Sequence, residues 1–148
     1  MKVYTPSKIS RRLGERFFFK AERDATPKSA MVRRPYPPGV PGKRRRRGLS
    51  EFGMELQEKQ KVRFLYGLSD TVLKKCVRAA NRAVKKSKTE SLLQLLERRL
   101  DNAVFRLGIA PTRRIARNIV SYGHITLNGR RVRSPGILVR PGDSIAIR

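Results

Sequence analysis

The sequence predicts an α+β protein: a helical N-terminal region with an extended basic arm, followed by a small module of two helices and a β-hairpin or sheet. Apolar residues recur at helical spacing between residues 50 and 107, which predicts three successive amphipathic helices. Beyond residue 124 they alternate with polar residues in short runs separated by Gly and Pro, as in strands and turns. These changes of pattern divide the chain into residues 1–49, 50–91 and 92–148.

Residues 1–49 are expected to form the extended, partly irregular arm, with one short helix over Ser10–Lys20. Leu13 and Phe17 fall on one side of that helix. The run Phe17–Phe19 is too apolar to remain in water, so we expect it to pack on the body of the protein.

A proline-rich stretch and a basic run follow in the arm. Pro35–Gly42 (PYPPGVPG) must be extended and rich in turns, because each proline fixes φ and removes a hydrogen-bond donor. Lys43–Arg47 (KRRRR) comes directly after it. We interpret the two segments as an arm that becomes ordered along folded RNA; a solvated disordered run and a nuclear-localisation signal are the alternatives.

Serine and threonine residues mark the starts of the three helices. Ser50 caps the first, which extends to Tyr66 and is stopped by Gly67; Ser69 caps the second. Thr89 starts the third, which continues or restarts at Asp101 and ends at Gly108. The residues expected to face inward are Phe52, Leu56, Val62 and Leu65 in the first helix, Val72, Leu73, Cys76, Val77, Ala80 and Val84 in the second, and Leu92, Leu93, Leu96 and Leu100 in the third.

The segment Thr112–Arg131 predicts a basic helix, a tight turn and a hairpin tip within twenty residues. Thr112 caps the helix, Gly123 ends it in the left-handed region, and Asn128-Gly129 is a strong hairpin signal. Ile115, Ile119 and Val120 are expected inside, which leaves Arg113, Arg114 and Arg117 outside. The predicted strands are Ile125–Leu127, Arg130–Arg133, Ile137–Val139 and Ser144–Ile147.

The charge balance indicates a polyanionic partner. The 148 residues include 36 Lys and Arg against 11 Asp and Glu, a net charge of +25, and such a charge repels itself in a compact isolated state. The cations are spread along the chain, with 15 in residues 1–49, 12 in residues 50–100 and 9 in residues 101–148. No run approaches the roughly 20 apolar residues of a membrane span, and MKVYTPSKIS lacks the apolar core of a secretion signal.

Enzyme and metal chemistry find no support in the motifs. The sequence has no nucleophile elbow, phosphate-binding glycine loop or paired-carboxylate motif, and His124 is its one histidine. Asp101 is expected to bond backbone N–H groups or to pair with Arg98 or Arg106. Cys76, the one cysteine, reads as a small buried hydrophobe. We therefore predict a protein that is not an enzyme and needs no cofactor.

Arginine suits RNA because its planar fork donates two bonds to one phosphate, and recognition of A-form RNA is mostly by shape. Tyr122 either stacks on a base or anchors the turn, and its place beside Gly123 favours anchoring. The residues predicted to bind RNA are Arg11, Arg12, Arg33, Arg34, Tyr36, Lys43, Arg44, Arg45, Arg46, Arg47, Lys59, Lys61, Arg63, Arg113, Arg114, Arg117, His124, Asn128, Arg130 and Arg131.

The segment LERRLDNAVFRLGIAPTRRIARNIVSYGHITLNGRRVRSPGILVRPGDSIAIR resembles the RNA-binding module of the ribosomal protein four family of the small subunit, of bacterial and organellar type. RRPYPPG (Arg33–Gly39) and EKQKVRFLYG (Glu58–Gly67) resemble the N-terminal half of that family. The resemblance implies a structural constituent of the small ribosomal subunit. It would bind 16S-type rRNA in the 5′ domain as a primary binder, nucleate assembly of the subunit body and support decoding accuracy during translation.

The resemblance also implies surroundings: neighbouring small-subunit proteins, especially protein five, proximity to the path by which mRNA enters, and sometimes repression of the protein's own mRNA. It implies a cytoplasmic ribosome, or alternatively one in an organelle matrix or stroma. The rivals are a non-ribosomal RNA-binding factor that uses the same module, for ribosome rescue or as an RNA-modification accessory, and a fragment of an RNA-modifying enzyme.

Two departures from the family pattern concern a metal site and the C-terminal end. Some family members bind zinc through four cysteines, and those positions hold Ser7, Ser10, Asp24 and Ser29 here. Serine hydroxyls are poor zinc ligands, so the chain resembles the zinc-free branch and no metal is expected. Family members also continue past the position of Arg148, so we expect that segment to be absent from this form or replaced by packing from another chain.

Overall fold

The computed structural model describes residues 5–39, 48–82 and 87–148. These residues form eight helices and one three-stranded antiparallel sheet, which confirms the predicted α+β class. The contacts divide the chain into an N-terminal unit, Met1–Leu65, and a C-terminal unit, Tyr66–Arg148. The sequence placed its divisions after residues 49 and 91 instead. The difference arises because the helix that precedes Tyr66 contributes Phe64 to an apolar cluster of the N-terminal unit.

Short helices occupy much of the region predicted to be an extended arm. The helix expected over Ser10–Lys20 begins earlier, at Pro6, because proline is well tolerated in the first helical turn. It ends before Gly14, whose φ of 74° is the left-handed value that glycine adopts readily. The helices of the N-terminal unit are α1 (Pro6–Leu13), α2 (Ala21–Ala25), α3 (Ala30–Arg33) and α4 (Glu51–Leu65).

An aromatic cluster holds the N-terminal unit together. Phe17 is buried, and its ring centroid lies 5.7 Å from that of Phe19 and 6.3 Å from that of Phe64. Ile9 and Leu13 of α1 complete the cluster. The expectation that the phenylalanine run packs on the body is thus correct for two of its members. Phe18 is half exposed, with a φ of 47°.

Helix α4 begins as predicted but buries a different residue. The Ser50 hydroxyl accepts a hydrogen bond from the Gly53 N–H at 3.2 Å, which confirms the cap. Phe52, Leu56 and Leu65, predicted to face inward, are 73%, 39% and 40% exposed. The buried residue of α4 is Phe64, because the apolar side chains of α4 do not form one stripe along the helix.

Four helices lie in the C-terminal unit, and the capping signals predict the starts of two of them and the end of the last. The Ser69 hydroxyl accepts from the Val72 N–H at 3.4 Å, and the Thr112 hydroxyl accepts from the Ile115 N–H at 3.2 Å. Gly123 adopts a φ of 76° at the end of the last helix. The helices are α5 (Asp70–Arg82), α6 (Lys88–Glu97), α7 (Leu100–Arg106) and α8 (Arg113–Tyr122).

The sheet consists of β1 (Ile125–Leu127), β2 (Arg130–Val132) and β3 (Ile145–Ile147), in the order β2-β1-β3. Asn128 and Gly129 have φ values of 51° and 76°, as a two-residue hairpin turn of type I′ requires.

The predicted strand over residues 137–139 is wrong. This segment pairs with the chain between α6 and α7 through one bridge, Arg99 to Leu138. The Leu100 N–H donates to the Ile137 carbonyl at 2.8 Å, so the segment supplies an acceptor for the free amides at the start of α7.

The core of the C-terminal unit lies between α7, α8 and the sheet. It consists of Leu100, Val104, Ala110, Ala116, Val120 and Ile125. Two of the three α8 residues predicted to face inward do so, since Val120 is fully buried and Ile119 packs against the core. Ile115 is 41% exposed instead, and Ala116 is fully buried. Val77 and Leu93, also predicted inside, are 37% and 47% exposed. Val84 lies outside the described residues. Within the described part of the chain, no helix has the length and apolar character needed to cross a bilayer.

Leu100→Ala is expected to destabilise the protein by about 2–5 kcal/mol, because it removes a fully buried side chain and leaves a cavity. Leu107→Ala is the matched control: Leu107 is 59% exposed, and its replacement should change the free energy of unfolding by no more than about 0.5 kcal/mol. Urea unfolding of the two variants tests the prediction. Equal losses would show that the core lies elsewhere.

Candidate nucleic-acid interface

Two of the three helix α8 arginines predicted to face RNA are bound inside the C-terminal unit. Arg117 donates to the Asp101 carboxylate through Nε at 3.0 Å and Nη2 at 2.7 Å, and also donates to the Gly67 carbonyl. Asp101 is 4% exposed and accepts two further bonds, at 3.1 and 3.0 Å, from Arg99. Asp101 also accepts from the Asn102 N–H at 2.9 Å, which confirms the predicted bond to a backbone N–H. The alternative prediction, a pair with Arg98 or Arg106, is wrong because the partners are Arg99 and Arg117.

Arg113 is held by a polar contact and two aromatic rings. Its Nε donates to the Asn102 side-chain oxygen at 2.8 Å. The guanidinium carbon lies 4.4 Å from the ring centroid of Phe105 and 5.1 Å from that of Tyr66. Burial lowers the pKa of Arg113, and the nearby Arg106 charge acts in the same direction. Arg113 and Arg117 thus stabilise the fold, and of the three arginines Arg114 alone lies on the exposed face.

A second polar cluster surrounds Glu97 at the end of α6. Its carboxylate accepts from the Tyr66 hydroxyl at 2.6 Å, from the Asn102 amide at 2.8 Å and from Arg106 through two bonds of 3.1 Å. Burial acts to raise the pKa of Glu97, but the hydrogen bonds from Arg106, Tyr66 and Asn102 outweigh it and lower the pKa to about 2. Burial, with the bond to Glu97, raises the pKa of Tyr66 to about 12.

One face of the sheet carries exposed cations. Residues opposite each other in antiparallel strands project to the same face, and the observed register pairs Thr126 with Arg131 and with Ala146. Continuing that register by two residues places His124 between Arg133 and Arg148. The Arg148 N–H donates to the His124 carbonyl at 2.9 Å, in agreement with this placement. We call the surface formed by His124, Thr126, Arg131, Arg133, Ala146 and Arg148 the basic sheet face.

Arg131 joins the basic sheet face to the end of α8. Its Nε donates to the Gly123 carbonyl at 3.0 Å, and its Nη2 donates to the Tyr122 carbonyl at 3.1 Å, so it caps the helix C-terminus. A Cβ atom on Gly123 would lie 2.5 Å from Arg131 Nε, and glycine leaves the room that this contact needs. The charge of Arg133, followed by slight burial and the charge of Arg148, lowers the pKa of Arg131.

The remaining predicted residues of the C-terminal unit lie near the hairpin tip. Arg130 and His124 are exposed. Asn128 is exposed too, but its side chain donates to Asp143 at 2.9 Å and accepts from the Ser144 N–H at 2.8 Å, so it fixes the turn. Arg133 and Arg148 were missed. A two-residue turn at Asn128-Gly129 fixes the strand register, and that register would have placed Arg133 beside His124.

In the N-terminal unit, Arg11 organises the segment that follows α3. Its guanidinium donates to the carbonyls of Arg34, Tyr36 and Pro37 at 3.0, 2.9 and 3.4 Å, and lies 4.9 Å from the Tyr36 ring centroid. A cavity of about 450 Å³ lies beside it, and no acid is among the described residues that line it. The cations lining this basic pocket are Arg11, Arg23, Lys28, Arg33 and Arg34.

The other residues of this unit that were predicted to bind RNA differ in their exposure and in their partners. Arg12 and Lys59 are exposed. Lys61 pairs with Glu58 at 2.7 Å and with Glu15 at 2.9 Å, and Arg63 donates to Gln60 at 3.1 Å. Lys43, Arg44, Arg45, Arg46 and Arg47 lie outside the described residues.

Of the four positions that hold cysteines in zinc-binding relatives, two accept hydrogen bonds from the backbone here. The Ser29 hydroxyl accepts from the Met31 N–H at the start of α3, and Asp24 accepts from the Lys20 N–H. In the described ranges, no three His, Cys, Asp or Glu residues come together as a metal site.

Asp101→Asn is expected to destabilise the protein by about 3–5 kcal/mol, because it leaves Arg99 and Arg117 without a counter-charge in a largely buried cluster. Glu90→Gln changes an exposed carboxylate on α6 in the same way and serves as the control. The measurement is the free energy of unfolding in urea. A loss similar to that of the control would contradict the structural role of Asp101.

The Glu97 carboxylate predicts a specific acid sensitivity. Its pKa is about 2 in the folded protein against an ordinary value of 4.5, so its contribution to stability is complete above pH 4.5 and is lost as the pH falls toward 2. Glu97→Gln should therefore lose less free energy of unfolding than the wild type between pH 6 and pH 3. Glu90→Gln, which removes an exposed carboxylate of the same helix, is the matched control. Identical curves for wild type and Glu97→Gln would refute the assignment.

Comparison with known proteins identifies the family over nearly the whole chain. The family model described as ribosomal protein S4/S9 N-terminal domain matches residues 3–97, and that of the S4 domain matches residues 98–145. The small ribosomal subunit protein uS4 of Thermus thermophilus is 50% identical over 141 residues, which cover 95% of this chain and 66% of the relative. Its namesake in Pelotomaculum thermopropionicum is 45% identical over 150 residues, covering 100% of this chain and 71% of the relative. The chain therefore belongs to the uS4 family of small ribosomal subunit proteins, as its resemblance to ribosomal protein four implied.

Proposed function

We propose that the chain is a structural constituent of the small ribosomal subunit and binds its 16S-type rRNA. The observation that carries the proposal is the family match, which includes both the N-terminal domain and the RNA-binding module. A borrowed module in a rescue or modification factor would not require the N-terminal domain, so the match over residues 3–97 argues against that alternative. The relatives are named as proteins of the small subunit.

The exposed charge of each unit supports RNA as the ligand. The basic pocket gathers five cations around one cavity, and the basic sheet face presents Arg133 and Arg148 on either side of His124. Guanidinium groups bind phosphate oxygens through two parallel hydrogen bonds. Arg12, Arg114 and Arg130 add exposed donors outside these two surfaces. Binding of this kind follows the RNA backbone and its shape more than its base sequence.

An enzymatic role is disfavoured by the same observations. The buried acid Asp101 is bound by Arg99 and Arg117 and has 4% of its surface exposed, so its carboxylate is not free to act on a substrate. Membership of a family of ribosomal proteins agrees with a structural role.

The finer parts of the proposal concern where the protein acts. We place it on the 5′ domain of the rRNA, where it nucleates assembly of the subunit body and supports decoding accuracy. Protein five is the proposed protein neighbour, and the path by which mRNA enters lies nearby. The ribosome containing it is that of a bacterial cytoplasm or of an organelle. Crosslinking in cells followed by sequencing of the attached RNA tests this placement: crosslinks concentrated in the 5′ domain support it, and crosslinks spread over transfer RNAs or large-subunit RNA refute it.

Salt dependence tests the electrostatic mechanism. If the protein neutralises roughly 6–10 phosphates, its affinity for a 5′-domain transcript should fall by about 10³–10⁵-fold between 50 and 200 mM salt. Arg114→Ala should reduce the slope of log affinity against log salt by about 1, because Arg114 is exposed and its replacement removes one phosphate contact.

Leu107→Ala, an uncharged change at an exposed position, should leave both the affinity and the slope unaltered. A nearly flat salt response of the wild-type protein would contradict phosphate binding altogether. An Arg114→Ala slope equal to that of the wild type would show that the outer face of α8 does not touch RNA.

A further inference from the structure

Tyr122 leaves a large aromatic ring in solvent while its backbone is tightly fixed. The side chain is 67% exposed, so the ring does not anchor the turn by packing. The Tyr122 carbonyl accepts from Arg131, and the next residue is Gly123, whose conformation ends the helix. The ring is therefore presented from a rigid point. Aromatic side chains in water cost free energy that a binding partner can recover by covering them.

The ring of His124 stands beside that of Tyr122. Their centroids are 6.3 Å apart and the ring planes are inclined by 70°, so the two rings form a corner instead of a flat surface. His124 is exposed as well. A flat group stacked on one ring would meet the second ring edge-on, and both contacts are favourable for π-systems.

Cations flank this aromatic corner, and no acid opposes them. Continued one residue beyond its last observed pairs, the strand register places Arg133 and Arg148 on either side of His124. Arg131 lies on the same face of the sheet, and the charges of Arg133 and Arg148 lower its pKa. Among the described residues, no acidic side chain forms an ion pair with any of these three arginines. The surface thus combines π faces with groups that bind phosphate.

A nucleotide matches this combination of groups. Bases stack on aromatic side chains regardless of their identity, and the phosphates on either side of the base bind cations. Bases inside an A-form duplex are already stacked and cannot reach a protruding ring, so the base must be unpaired. An acidic peptide would satisfy the arginines but would offer no planar group for the rings.

We propose that Tyr122 and His124 form a stacking site for one unpaired RNA base, whose flanking phosphates are bound by Arg133 and Arg148. The inference rests on the proposed function and deepens it, because it gives a place and a chemistry to one base contact. It predicts that loss of the ring and loss of a cation weaken RNA binding in two distinguishable ways.

The test measures the affinity of the full chain for a 5′-domain rRNA transcript at several salt concentrations. Tyr122→Leu should weaken binding by about 5- to 150-fold, the effect of losing one base–aromatic stack, with an unchanged salt slope. Tyr122→Phe keeps the ring and should bind like the wild type. Arg133→Ala and Arg148→Ala should each weaken binding and reduce the salt slope by about 1.

Phe52→Leu is the matched control, because Phe52 is an exposed aromatic residue of the other unit. Unchanged thermal unfolding of Tyr122→Leu verifies that the variant is folded. A second measurement uses the wild-type protein with a transcript that contains 4-thiouridine: after irradiation, the crosslinked peptide should include Tyr122 or His124.

Tyr122→Leu binding with wild-type affinity, or losing affinity together with salt slope, would overturn the stacking site. So would crosslinks that never include the peptide with Tyr122 and His124. In either case the proposed function still stands if the wild-type protein binds the transcript specifically and its affinity falls steeply with salt. A wild-type protein that binds the transcript no better than an unrelated RNA would overturn the proposed function, and the stacking site with it.

Discussion

The buried carboxylate of Asp101 connects the parts of the C-terminal unit. It accepts hydrogen bonds from Arg99 beside it, from Arg117 on α8 and from the Asn102 N–H. A buried charge is tolerated when its partners satisfy it fully, because otherwise the loss of hydration exceeds the Coulombic gain. Asp101 meets this condition in part through Arg117, which lies 16 residues further along the chain. This carboxylate therefore fixes α8 against α7 together with the Asn102–Arg113 bond and the apolar core between the two helices.

The same constraint divides the arginines of α8 between two tasks. Residues four apart in a helix share a flank, so Arg113 and Arg117 both face α7, where Asn102 and Asp101 receive them. Arg114 lies one step around the helix and is exposed. At the other end of α8, Arg131 returns from the hairpin to bind the Tyr122 and Gly123 carbonyls. Three of the five arginines in the segment Thr112–Arg131 thus stabilise the fold, and the other two are exposed.

Local signals in the sequence predicted local structure well. The caps at Ser50 and Thr112, the left-handed Gly123 and the Asn128-Gly129 turn all depend on neighbours within a few residues, and each is present in the structure. Helix α1 was predicted with displaced bounds, whereas α2 and α3 were missed because helices of four or five residues have weak propensity signals and depend on tertiary packing.

The candidate site was harder to predict because charge patterns do not reveal which cations have partners. Arg113, Arg114 and Arg117 look equivalent in the sequence, and the acid that binds Arg117 lies in another helix. Arg133 was predictable in principle, since the turn fixes the register that sets it beside His124. The exposure of Tyr122 was not, because a tyrosine next to a glycine is equally compatible with a packed ring and with a free one.

The placement of the acidic residues explains why the surface is so strongly basic. Asp101, Glu97 and Asp143 each accept hydrogen bonds that fix a helix, a helix junction or a turn. Glu97 also pairs with the exposed Arg106, but these three carboxylates are not available to the other surface cations of a chain with 11 acids against 36 cations. Surface cations left without counter-charges repel one another, and the charges of Arg133 and Arg148 accordingly lower the pKa of Arg131. A polyanion relieves that repulsion when it binds, so the stability of the isolated protein and the RNA binding proposed for it would both follow from one distribution of charge.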